Sequence, residues 1–212
     1  MPNQNQMNTQ GQNGMQMPPN MQQQSMNHGG HEMFDAHEVI ASIISMLDQY
    51  QMYDQHIQDQ ELKSILNRQY TFMTQLYNTI VESFKSGQDP TVPTQQYKMQ
   101  QNNDTVYGVK PGKPKKPNQS IQELSDQGLS AYMLGQVKSL ASLMSMTALE
   151  MTNPVLRREI ADSVPNLIEM GYEIFLYQNK HGYYQVPQLA QQDMNNMLQS
   201  YAPVQGQNKP LM

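Results

Sequence analysis

"GQDPTVPTQQYKMQQNNDTVYGVKPGKPKKPN", residues 87–118, decides how the rest of the chain is read. Pro90, Pro93, Pro111, Pro114 and Pro117 punctuate it, and neither a helical nor a strand period runs through it. A structureless stretch of this length inside a compact domain is uncommon and needs a structural reason. The reason lies in the flanking segments.

On the N-terminal side, Ala36, Ile40, Ile43, Leu47 and Tyr50 recur at spacings of three and four, which predicts a helix over 32–57. Glu32 and Asp35 fall in its first turn, where acidic charge suits the helix dipole. Leu62, Leu66, Gln69, Met73, Leu76 and Ile80 predict a second helix over 60–85, with Asp59 as N-cap and Gly87 at the stop. Neither Gly nor Pro separates the two, so one continuous helix is an open alternative. On the C-terminal side a helix over 120–152 opens at Ser120, with Glu123 completing a capping box. Its stripe is Leu129, Met133, Val137, Leu140, Met144, Ala148 and Met151. Gly128, Ala131 and Gly135 form a small-residue face where another helix can come close. Asn153 as N-cap and Pro154 at the first helical position open a helix over 154–181, with Leu156, Ile160, Val164, Leu167, Gly171 and Ile174 as its stripe. Pro165 lies inside it and should kink or restart it.

Both halves therefore read as helix, tight turn, helix. "IQDQELKSIL" and "MTNPVLRREI" each set a polar cap three residues before a leucine. A helix of ~26 residues is ~39 Å long, and the stretch 87–118 spans that length with slack when extended. The second and third helices can then run parallel. The expected fold is all-α: a ferritin-like four-helix bundle of two antiparallel hairpins joined by the crossover loop 87–118, within 31–187. Residues 1–30, rich in Gln, Asn and Met, read as a disordered tail. It is either an inert solubilising segment or one that self-associates through its amides. A short amphipathic helix over about 188–201 and a tail fill 188–212.

Composition narrows the function classes. Hydrophobic residues make up 37% and charged residues 15% of the chain, and the net charge of −5 offers no broad attraction to nucleic acid. "VKPGKPKKP" is the one lysine cluster, either a basic docking strip or a solvated crossover. Cysteine is absent, which excludes disulfides, thiol nucleophiles and thiolate metal sites. No apolar run approaches the ~20 residues of a membrane helix. The N-terminus has no secretory pattern, so the chain is expected to stay on the cytoplasmic side.

A ferritin-like layout raises the di-iron centre, which needs Glu-x-x-His on two helices. That motif is absent, and His37 and His56 lie on the first helix. Glu123, Glu150, Glu169 and Glu173 read as facing water. His31 with Glu32 and Asp35 reads as dipole chemistry or an adventitious cation site. No nucleophile-histidine pattern and no phosphate loop occur. The site expectation is thus no catalytic, cofactor-binding or metal residues, and no cofactor. Methionines at helical spacing fill core gaps or suit repacking against a partner; those of the tail have no core to fill. In "LYQNKHGYYQVP", residues 176–187, Lys180 and His181 suit the helix C-terminus and Gly182 supplies the stop. Tyr183 and Tyr184 then fold back over the open bundle end as a plug, or form a binding surface. Tyr183, Tyr184, Gly128 and Gly135 are the candidate interaction residues.

"NPVLRREI", "EIFLYQNKHGYYQVP" and the "HEVIAS…IQDQELKSIL" hairpin resemble the spore coat protein F (Coat F) family of endospore-forming bacteria, over about 31–187 and most in the C-terminal half. The resemblance implies a ferritin-like bundle without established enzymatic activity, a structural or assembly role, and a location in the spore coat or forespore after cytoplasmic synthesis. It implies other spore coat proteins as partners, with self-association a further expectation, and neither nucleic-acid binding nor membrane insertion. In that setting Gln, Lys and Tyr are candidates for cross-linking. The alternatives are a ferritin-like metal-binding or oxidoreductase protein, or a helical module that docks a partner along the Gly128–Gly135 face.

Overall fold

The computed structural model describes residues 29–204. The tail expected over 1–30 therefore lies, up to residue 28, outside the described residues, as do residues 205–212. The described chain is helical: α1 (Gly30–Asp54), α2 (Gln60–Ser86), α3 (Asp126–Glu150), α4 (Pro154–Lys180) and α5 (Gln191–Leu198). No extended ladder forms among the described residues beyond a single parallel bridge, Tyr107 to Val186.

α1 and α2 are separate helices, and α1 ends earlier than the expected 57. His56 and Ile57 N–H both turn back to the Tyr53 carbonyl, at 2.9 and 3.0 Å. Asp59 caps α2 by accepting from Glu61 N–H at 2.7 Å. The break is held from elsewhere in the chain. Asp126 accepts from Gln58 N–H at 2.9 Å and Asp59 N–H at 3.2 Å, satisfying linker donors that a continuous helix would have satisfied itself. Gly87 ends α2 at φ 66°, and its N–H donates to Ser83 O.

The third helix starts six residues later than expected. Ser120 makes no side-chain cap; Ile121–Glu123 form a single 3₁₀ turn, and Ser125 caps α3 by accepting from Gly128 N–H at 3.4 Å. The fully buried stripe of α3 begins at Leu129, while Ile121 is exposed and Leu124 already packs on the core from outside the helix, so an earlier start would have added little burial. α4 opens on Asn153, whose Oδ1 accepts from Val155 and Leu156 N–H at 2.9 and 3.0 Å. It runs uninterrupted through Pro165 to Lys180, so the expected restart does not occur. Pro165 and Ala161 both lie on the exposed face, so the carbonyl that proline leaves unbonded is not one the core has to satisfy. α5 is shorter than the expected 188–201 and buries none of its residues.

α1 packs on α2 and α3, and α4 packs on α2 and α3. Neighbours are antiparallel. Lys180 at the end of α4 meets Glu61 at the start of α2 at 2.8 Å, and Glu32 at the start of α1 meets Thr152 just past the end of α3. α2 and α3 both begin beside the Asp59–Asp126 contact, so they run parallel and the chain between them must return the full length of the body. The expected stripes of α2 and α3 are buried at every position, Gln69 included. On α1, Val39 and Met46 are buried beside Ala36, Ile43 and Tyr50, while Ile40 and Leu47 sit at the margin.

Candidate functional site

The residues between α2 and α3 form a strap along α4, and α4 carries a polar ladder that holds it. Glu159 accepts from the Thr94 hydroxyl. Asn166 Oδ1 accepts from Tyr97 N–H at 2.8 Å, and Glu173 accepts from Gln100 N–H at 3.0 Å. The rungs are seven residues apart on α4, a rise of ~10.5 Å. They are three residues apart on the strap, which covers ~10 Å when extended. The two periods match, so each third strap residue meets a rung. Asn179 closes the ladder by pairing with both backbone groups of Val106: its Oδ1 accepts from N–H at 2.6 Å and its Nδ2 donates to O at 3.0 Å.

Glu173 is the centre of this seam, and it is fully buried. The expectation that it faces water is overturned. Arg68 Nη2 donates to its Oε1 at 2.5 Å. The Tyr97 hydroxyl and Gln69 Nε2, the latter at 3.4 Å, donate to its Oε2. Gln69 also donates to Met170 O at 3.1 Å and accepts from the Tyr50 hydroxyl at 2.9 Å. Five side chains from α1, α2, the strap and α4 thus share one network, and Tyr97 stacks edge-on against Phe72 at 5.3 Å. Burial, then the Glu173 carboxylate, push the Tyr97 phenol well above its ordinary value. Burial does the same to Tyr50, helped by the charge of its neighbours. Burial disfavours the Arg68 charge, but the Glu173 carboxylate outweighs it and the guanidinium is held above its ordinary value.

This donor set does not fit a di-metal centre. A guanidinium donates hydrogen bonds and cannot ligate a cation. Among the described residues no three His, Asp or Glu side chains gather where an ion could sit. Of the other glutamates named from sequence, Glu123 and Glu150 are exposed and Glu169 is half-buried.

Each end of the body has its own clasp. At one end Glu32, also fully buried, accepts from Thr152 and Asn153 N–H at 2.8 and 3.0 Å and from the Thr152 hydroxyl. It ties the start of α1 to the α3–α4 turn, a role beyond dipole chemistry. Asn153 Nδ2 donates to Gly87 O at 3.1 Å and adds the end of α2. At the other end the Tyr177 hydroxyl donates to Asp59 at 3.2 Å, His181 Nε2 lies 3.4 Å from the same oxygen, and Lys180 pairs with Glu61. Burial, then the Asp59 charge, raise the Tyr177 phenol strongly.

The two candidate tyrosines part company. Gly182, at φ 70°, turns the chain so that Tyr183 and Tyr184 N–H both donate to Gln178 O, at 2.8 and 3.1 Å. Tyr183 stacks on His181 at 5.5 Å and packs against the core. Tyr184 is partly exposed on the side of the body. Its ring meets Phe175 edge-on at 5.3 Å, Phe175 stacks on Tyr172, and Lys138 Nζ sits 5.7 Å over the Tyr184 ring. These rings line an α3–α4 groove of about 530 Å³ with Leu134, Val137 and Ile168. The chain beyond also binds the strap, through Gly108 N–H to Val186 O at 2.9 Å.

Within the described chain no other helix closes on Gly128 or Gly135. A Cβ on Gly135 would meet nothing within 4 Å, and one on Gly128 would meet only Ser125 Oγ at 3.8 Å. Gly171 takes that part: a Cβ there would meet Val137 at 3.5 Å. Gly135 instead lines an open groove of about 650 Å³ between α1 and α3, with Ser42, Ser45, Ala131 and Ser139. Lys110, Lys113, Lys115 and Lys116 are exposed on the strap.

The Coat F domain matches residues 125–187, which hold α3, the ladder helix α4 and the Gly182–Pro187 turn. A spore coat protein F-like protein of Bacillus subtilis (strain 168), YhcQ, is 50% identical over 182 residues, 86% of this chain and 84% of that protein. The chain belongs to the spore coat protein F family. A protein described as a spore coat protein of Bacillus halodurans C-125, known from its crystal structure, matches with a TM-score of 0.56 at 14% identity, covering 79% of this chain and 98% of that one. That likeness concerns the fold alone. In this Coat F chain the ladder's acceptors on α4 fall inside the matched domain, while Arg68 and the strap lie outside it. No helix among the described residues is long and apolar enough to cross a membrane.

Proposed function

We propose that the chain is a non-catalytic structural or assembly protein of the bacterial spore, acting through protein–protein contacts with other coat components. Its body is a ferritin-like four-helix bundle, two antiparallel hairpins joined by the strap. Glu173 carries the reading. A ferritin-like scaffold performs metal chemistry by turning Glu and Glu-x-x-His ligands inward. Here the inward carboxylate is saturated by Arg68, Tyr97, Gln69 and Gln100, and the network locks the strap to the helices. A scaffold so filled supports rigidity rather than turnover. Membership of the spore coat protein F family supports the setting, and the α3–α4 aromatic groove with Tyr184 supplies a surface suited to protein contacts.

A fluorescent fusion followed through sporulation tests the setting: signal confined to the developing spore is expected, and uniform signal in vegetative cells refutes it. Metal analysis of chain purified without chelators tests the chemistry. Near-zero iron and manganese per chain is expected; a stoichiometric ion lost in Glu173→Gln overturns the non-catalytic reading.

A further inference from the structure

α5 is an eight-residue helix with no buried residue. Isolated helices shorter than ~12–15 residues are marginal in water, and most helical stability comes from packing an apolar face. α5 has such a face. Met194, Met197 and Leu198 recur at spacings of three and four, and Tyr201 continues the stripe just past the helix end. Met197 and Leu198 are 62% and 73% exposed. The body offers a counterpart in the α3–α4 groove. Its lining is apolar and aromatic, from Leu134, Val137, Ile168, Phe175 and Tyr184, and no residue beyond Tyr184 lines it. Ile168 is 63% exposed there. The charges match as well. Lys138 is the single charged residue of the groove lining, and Asp193 is the single charged residue of 188–204. Asp193 stands one turn before Met197, at the edge of the stripe.

From these observations we infer that α5 of a second copy of this chain seats Met194, Met197 and Leu198 in the α3–α4 groove. A two-fold dimer then exchanges the helices, each copy giving one and receiving one. This rests on the proposed reading of the groove as a protein-contact surface and names its occupant. Unbranched thioethers fill irregular grooves and pack on ring edges, and Phe175 and Tyr184 present such rings. The chain's own α5 is directed elsewhere. Gln185 pairs with both backbone groups of Lys110, its Nε2 donating to O at 3.2 Å, and Gly108 N–H donates to Val186 O at 2.9 Å. The chain therefore leaves the body fastened to the strap, which follows Glu159, Asn166 and Glu173 along α4. Phe175 comes nine residues after Asn166, or ~2.5 helical turns, so the groove lies on the side of α4 opposite the strap. Pro187 keeps Val186 extended and stiffens the exit. To enter its own groove, α5 would have to double back across α4 within 187–190.

Sedimentation of the full chain at micromolar concentration should show a dimer. Ile168→Glu alters the groove and Leu198→Glu alters the helix; both side chains are exposed, so the fold should survive, which circular dichroism checks. Each substitution should weaken the dimer by at least about a hundredfold, roughly tenfold for each of the two seats. Mixing the two variants should restore association to an intermediate strength. The Ile168→Glu chain still supplies an intact α5, and the Leu198→Glu chain an intact groove, so one seat forms. A monomeric full chain overturns the inference, as does a dimer that neither substitution weakens, or a mixture that associates no better than the separate variants. The spore setting fails separately, through the fluorescent fusion: a monomer that still collects in the developing spore removes the dimer alone.

Discussion

Replacing Arg68 with Met tests whether the polar seam is structural. The change keeps the stem that packs beside Glu173 and removes the guanidinium. Glu173 has no exposure to water, so its carboxylate cannot escape by rotating outward. It retains Tyr97, Gln69 and Gln100 as donors but loses its charge partner. Removing one member of a buried pair costs ~3–5 kcal/mol, which for a chain of this size lowers Tm by roughly 6–20 °C. Glu173→Leu should cost a similar ~3–5 kcal/mol by another route. Arg68, whose side chain is 20% exposed, can turn to water, but the buried Tyr97 hydroxyl is orphaned at ~1–3 kcal/mol and the strap loses its Gln100 rung. The double variant removes both charges together, so it should be less destabilised than the sum of the singles by ~2–3 kcal/mol. Urea unfolding monitored by circular dichroism measures all four corners of the cycle. Single-variant costs below about 1 kcal/mol, or additivity within about 0.5 kcal/mol, would refute the coupling.

Alkaline pH should weaken the fold steeply. Tyr50, Tyr97 and Tyr177 all have phenols raised in the native state above the ordinary 10.0. Above that pH the unfolded chain binds fewer protons than the native one, so stability falls as pH rises, by ~1.4 kcal/mol per pH unit for each phenol. Urea titrations between pH 8 and 11 measure the slope, and Tyr97→Phe should lower it by one phenol's share. Amide exchange should pick out single strap residues: Tyr97, Gln100 and Val106 N–H, bonded to Asn166, Glu173 and Asn179, should be protected while Asn102 and Asn103 exchange fast. Glu32→Ala should cost ~1–3 kcal/mol for each Thr152 or Asn153 donor left buried, measured by the same urea assay. Asn153→Ala should cost ~1–2 kcal/mol for the lost cap, with a further loss from the Gly87 carbonyl it leaves unbonded.

Helix positions, the caps at Asp59 and Asn153 and the glycine stops at 87 and 182 were legible in the amino-acid string. Each depends on residues a few positions apart: a period of three and four, a polar side chain two or three residues before the amides it accepts from, a site needing positive φ. The proline-rich stretch also announced that the second and third helices run parallel, because chain length alone sets that constraint. The ladder on α4 leaves a trace in the sequence: Glu159–Ile160, Asn166–Leu167 and Glu173–Ile174 repeat a polar–apolar doublet every seven residues. The trace could not say that these polar groups face inward, because their partners Thr94, Tyr97, Gln100 and Arg68 lie 65 to 105 positions away. The α1–α2 break and the burial of Glu32 have the same origin. Each depends on a donor or acceptor brought in from elsewhere in the chain, and a buried carboxylate is tolerated only once that partner has arrived. Local period and capping chemistry settle where helices form; which polar side chains turn inward, and what they hold there, is settled when the four long helices and the strap close on one another.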